Sequence, residues 1–166
     1  AMLNEKNITI QIAAVQAVLN FPKLLTLEQL KTYLRSECRE LQILSSKIVA
    51  DEQIEELLPF LISNLENADI FREIINDIRI FDAKKVENLI INMLLEKKYP
   101  INQPSVELIK ALGELGSIRS IEILIQFTKK IKHNQLLNII IQSCYKIGKR
   151  NHIPQLYFEQ LGQLLQ

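Results

Sequence analysis

Few residues in this chain of 166 have side chains suited to covalent or metal chemistry: two histidines, His133 and His152, and two cysteines, Cys38 and Cys144. A nucleophile–base pair needs a thiol or hydroxyl beside an imidazole, and a metal site needs several convergent ligands. The cysteines are far apart, in no CxxC spacing, and each lies in an apolar-periodic segment, which predicts reduced thiols in a core. Both histidines fall near helix ends in a basic stretch, which predicts surface or capping roles. There is no GxGxxG, P-loop, HExxH or GxSxG. The expectation is a protein with no catalytic residue, no cofactor and no metal.

Charge is the next candidate for chemistry. From Ile123 to Phe158 there is no acid, yet the stretch holds Lys129, Lys130, Lys132, Lys146, Lys149 and Arg150. From Glu37 to Glu87, twelve acids face six bases, a net of −6. The formal charge of +1 is thus a balance of segregated ends, which predicts a dipole along the molecule. The basic end suits an acidic protein, a nucleic acid or an anionic membrane. Lys129, Lys130 and Lys132 would close one helix while Lys149 and Arg150 lie in the next turn. That makes two small patches on the order of 20 Å apart at 1.5 Å per helical residue.

The elements that position these residues read as helices. Hydrophobic residues make up 48% of the chain, Trp is absent and Gly is only 4, which disfavours a many-stranded β architecture. Apolar residues recur at helical spacing almost throughout, as at 106, 108, 109, 112 and 115, and the pattern predicts ten helices. Thr26-Leu27-Glu28-Gln29 has capping-box form. Asp51, Asp82 and Asn151 are expected N-caps, and Pro104 is placed to open a helix. Gly116 and Gly148 are expected helix stops in the left-handed conformation. No apolar run approaches the roughly 18 residues of a membrane span. With the cysteine usage this predicts a cytoplasmic protein, or the cytosolic part of a longer chain, since Ala1-Met2 reads as a cloning junction.

The helices repeat. LIKALGELGSIRSIEIL at 108–124 matches IIQSCYKIGKRNHIPQL at 140–156 with a shift of 32, pairing Leu112 with Cys144, Gly116 with Gly148 and Ile121 with Ile153. IINDIRIFDAKKVENLI at 74–90 and LQILSSKIVADEQIEELL at 41–58 follow the scheme more loosely, and 8–35 would be the first copy. The period is about 27 to 34 residues per helical hairpin, and stacked hairpins share a core that one alone cannot build. ALGELGSIRSIEIL at 111–124 resembles the short HEAT-like repeat, the version also found in phycobilin-lyase subunits. That family often has an acidic residue after the turn glycine and an alanine before the apolar residue of the second helix. Here Ser117 and Ser120 hold those positions.

The resemblance implies an all-α solenoid, a right-handed stack of about five antiparallel hairpins. It would occupy residues 8–166 as one domain behind a disordered or cloning-derived tail at 1–7. It also implies macromolecular binding as the usual business; the lyase branch would imply a subunit of an enzyme complex. One acid per copy follows the first apolar residue of the second helix: Glu28, Glu55, Glu87 and Glu122. With Asn88 and Gln126 these would form a surface for a basic peptide or helix, although first-turn glutamates also suit a helix dipole. The leading expectation is a non-enzymatic scaffold binding another protein or peptide. Its alternatives are a nucleic-acid or anionic-membrane binder using Lys129, Lys130, Lys132, Lys149 and Arg150, and a regulatory subunit of an enzyme. Leu161, Leu164 and Leu165 keep an apolar periodicity that would serve packing or self-association.

Overall fold

The computed structural model describes residues 7–18, 24–96, 103–128 and 134–153. Among them are nine α-helices and no strand, so the protein is all-α, as the periodicity predicts. A tenth helix expected near the C-terminus lies outside the described residues. The chain divides into two compact units between Asp82 and Ala83.

The first unit contains α1 (Ile8–Val18), α2 (Leu27–Leu34), α3 (Arg39–Asp51), α4 (Leu58–Asn64) and α5 (Phe71–Ile78), with a 3₁₀ turn at Glu55–Leu57 leading into α4. The expected capping box opens α2: the Gln29 amide donates to Thr26 Oγ1 at 3.2 Å, and the Thr26 amide donates to Gln29 Oε1 at 3.0 Å. Helix α3 is the hub and packs against α1, α2, α4 and α5. Its Leu41, Ile48 and Val49 are buried, as are Leu34, Leu58, Leu61, Ile74 and Ile78 around it. Each such side chain contributes roughly 1.5–3 kcal/mol on burial. Polar ties supplement the core. Asn64 Nδ2 donates to the Leu34 carbonyl at 2.9 Å, and Ser46 donates to the Asp77 carboxylate.

The second unit contains α6 (Ala83–Glu96), α7 (Gln103–Leu115), α8 (Ile118–Thr128) and α9 (Asn134–Arg150). Helix α7 packs against α6 and α9, and α8 packs against the same two helices. Ile90, Leu108, Leu112, Ile121, Leu124, Ile140 and Ile147 are buried. Leu112 and Cys144, paired by the shift of 32, are both buried, in line with a core role for the thiol. Asp82 immediately precedes α6 and Pro104 is the second residue of α7, as expected from their capping chemistry.

The helix stops differ from expectation. No described glycine has a positive φ. Gly148 lies within α9, two residues short of its end. Gly116 follows α7 without a positive φ, its amide donating to the Leu112 carbonyl at 2.7 Å. A Cβ there would stand 2.5 Å from Ser120 Oγ and 2.6 Å from the Leu112 oxygen, so close approach excludes a side chain. Asp51 and Asn151 also do C-terminal work. Asp51 is the last residue of α3, and Asn151 Nδ2 donates back to the Ile147 carbonyl at 2.7 Å.

The left-handed positions belong to Gln53 (φ 50) and His152 (φ 55). Each forms a Schellman turn: Ile54 donates to the Val49 carbonyl and Ile153 to that of Gly148, both at 2.9 Å. A side chain at such a φ costs about 1–2 kcal/mol. Gln53→Gly and His152→Gly should therefore each raise the urea midpoint, by about 1 kcal/mol in stability.

Candidate interaction surface

The acid that the sequence places on an exposed ladder at Glu87 is turned into the structure instead, with only 5% of the residue exposed. The first turn of α6 carries Val86 into the core and Glu87 against the start of α8. There Glu87 Oε1 accepts from the Ser117 amide at 2.8 Å, the Ser117 hydroxyl at 2.8 Å and the Ser120 hydroxyl at 2.5 Å. Ser117 is also the residue before α8, and its Oγ accepts from the Arg119 amide at 3.3 Å. The carboxylate therefore meets the positive end of α8, whose first amides have no intrahelical partner. Burial opposes its ionisation, but the bonds from Ser120 and Ser117, together with the charge of Arg119, outweigh burial and hold the carboxyl below its usual range.

Asn88 is engaged beside it, its Oδ1 accepting from Arg119 Nη1 at 2.6 Å. The serines that depart from the HEAT-like pattern, Ser117 and Ser120, are thus the ones that receive Glu87. The acid that meets them comes from α6.

Arg150 is engaged too. Its guanidinium donates to the Gly113 carbonyl at 3.1 Å and to that of Gly116, closing the carbonyl end of α7. Lys146, one turn earlier on α9, reaches Glu114 at 2.6 Å. Between these ties the helices nearly touch: a Cβ on Gly113 would lie 2.9 Å from Ser143 Cβ.

Of the other expected binding residues, Glu122 and Gln126 are exposed one turn apart on α8, and Lys149 is exposed near the end of α9. Glu55 is exposed in the 3₁₀ turn but has an interaction of its own. Lys129, Lys130 and Lys132 lie outside the described residues, as does the C-terminal segment proposed for self-association. The outward face thus keeps Glu122, Gln126 and Lys149, while Glu87, Asn88 and Arg150 join helices.

No protein-family model matches this chain, and no curated protein matches it significantly.

A cluster that the sequence reading missed lies on α2 and α4. Lys31 Nζ and Arg35 Cζ stand 5.3 and 4.6 Å from the centroid of the Phe60 ring. The i,i+4 spacing of the two cations was visible in sequence, but the ring that gathers them is 25 residues further on.

Among the described residues no three His, Cys, Asp or Glu side chains cluster as metal ligands, and no helix is long and apolar enough to cross a membrane. Both cysteines are free thiols. Burial pushes the Cys144 thiol up to about 12, whereas Cys38 is half-buried at the start of α3 and donates to Glu40 Oε2 at 3.3 Å. A thiol reagent at neutral pH should modify Cys38 in the native protein and reach Cys144 only on unfolding, as mass spectrometry would show.

Proposed function

We propose that the chain is a non-catalytic interaction module, a HEAT-like α-solenoid that binds another protein or peptide through the exposed face of its second-position helices. One observation carries this reading: the polar ties between helices span about one repeat. Asn64 meets Leu34 and Ser46 meets Asp77 at separations of 30 and 31 residues. Glu87 meets Ser117 and Ser120 at 30 and 33, and Lys146 meets Glu114 at 32. Ties at about one repeat's separation are what stacked hairpins make between neighbours, which supports a repeat stack offering a surface to a partner. The most reactive candidates also serve that platform, since Glu87 caps a helix and Cys144 is held protonated in the core. Free thiols in both positions support a reducing, cytoplasmic setting.

The expected partner surface is Glu122 and Gln126 on α8, offered to a basic segment. Capture from lysate of the source cell, at low and at high salt, tests it with wild-type protein and with Glu122→Lys/Gln126→Ala. A protein retained at both salts by the wild type and lost by the variant supports the reading. Nuclease-sensitive capture that vanishes at high salt contradicts it and favours nucleic-acid binding through the lysines.

A further inference from the structure

Against α1 and α2 the first unit has an open cavity of about 420 Å³, lined by Gln11, Lys31, Thr32, Tyr33, Arg35 and Ser36, with Glu28 as its single acid. Small-ligand sites commonly fall in the range of roughly 300–1,000 Å³.

The charges in its wall do not cancel. Lys31 and Arg35 are gathered against one face-giving ring, Phe60, which fixes where both cations stand. Glu28 reaches Lys31 at 3.7 Å, but its side chain is 84% exposed, so water weakens the pair. Among the described residues no carboxylate pairs with Arg35. The negative end of α2, which stops at Leu34, favours cations at Lys31 and Arg35.

The hydroxyls differ in what they can offer. Thr32 donates to the Glu28 carbonyl at 2.8 Å, so its proton is committed. Ser36 Oγ accepts from the Cys38 amide at 3.1 Å, which leaves its proton for another acceptor. The wall therefore presents a planar guanidinium, an ammonium and a hydroxyl donor. We propose that this cavity binds an oxyanion, the phosphate or carboxylate group of a small ligand. Arg35 supplies the two-pronged contact, Lys31 the second charge and Ser36 a neutral hydrogen bond.

Titration of the whole chain with inorganic phosphate, and separately with succinate, tests the site by amide NMR at constant ionic strength. The expected result is saturable shifts confined to residues 31–36 and their neighbours. Affinity should fall about tenfold or more in Arg35→Gln, less in Ser36→Ala, and stay unchanged in Lys84→Gln at an exposed lysine of the second unit, with dispersed spectra showing that each variant folds. A larger response to phosphate assigns the ligand to phosphate esters, and a larger one to succinate assigns it to carboxylates. Absence of saturable shifts with either anion, or the same affinity in Arg35→Gln, would overturn the proposal.

Discussion

Replacing Glu87 with alanine is expected to lower the stability of the protein by about 3 kcal/mol, read as a shift in urea midpoint. The carboxylate accepts from one amide and two hydroxyls, and hydrogen bonds to a charged group contribute about 1.5–3 kcal/mol each before compensation. Removing it leaves the Ser120 hydroxyl, on a fully buried residue, and the Ser117 amide ahead of α8 without their acceptor. Glu87→Gln should cost less, about 1–2 kcal/mol, because the amide oxygen keeps part of the bonding but loses the charge.

The two variants also differ from the wild type in pH dependence. Because the folded carboxyl lies below its unfolded value of 4.5, its contribution is complete above about pH 4.5. It is lost as pH falls through the folded value. Asp77 opposes this: burial raises its carboxyl, so the folded state gains there as pH falls from neutrality through the folded value. Glu87→Gln should therefore flatten the acid limb of the stability curve, whereas Asp77→Asn should steepen it.

The second large effect is expected at Gly113. A Cβ on this residue would stand 2.9 Å from both Ser143 Cβ and Oγ and 3.0 Å from its Cα. Alanine would force α7 and α9 apart and stretch the neighbouring ties from Lys146 to Glu114 and from Arg150 to the α7 carbonyls. The strain should exceed the gain in helix propensity, for a net loss of about 1–3 kcal/mol. Gly113→Val should lose more. The Ser143→Gly change removes the obstructing Cβ, so the double variant Gly113→Ala/Ser143→Gly should be more stable than the sum of the single effects predicts. A strictly additive pair would show that the helices do not meet there.

Much of this was legible in the sequence because local rules decide it. The capping box at Thr26 forms as written, Asp82 and Pro104 stand where their helices begin, and the apolar positions at 108, 109 and 112 are buried. The stops were less legible. Glycine is the least costly residue at positive φ, yet Gln53 and His152 adopt it, held by the carbonyls of Val49 and Gly148. Gly113 is instead required by Ser143 on α9, which no local window contains, and Gly116 by Ser120 and the Leu112 carbonyl, near in sequence but crowded together only by the geometry of the turn.

The candidate surface was legible in part for the same reason. A first-turn glutamate looks alike in each helix, and whether it faces water depends on what packs beside it. At Glu87 the start of α8 offers Ser117 and Ser120; at Glu122 the side chain is exposed. The departure of Ser117 and Ser120 from the HEAT-like pattern was the available signal. Arg150 likewise falls in a basic stretch of the sequence, yet its length and fork suit the carbonyls at the end of α7.

The central claim is that Glu87 belongs to the joint between α6 and α8 and not to a solvent-facing surface. Titration of the Glu87 side-chain carboxyl by carbon-detected NMR tests it most directly. The account predicts a midpoint below 4.5, with the Ser117 amide shifting at the same midpoint as its acceptor is protonated. A midpoint at or above 4.5, with the Ser117 amide unmoved, would contradict it and return Glu87 to the solvent-facing surface.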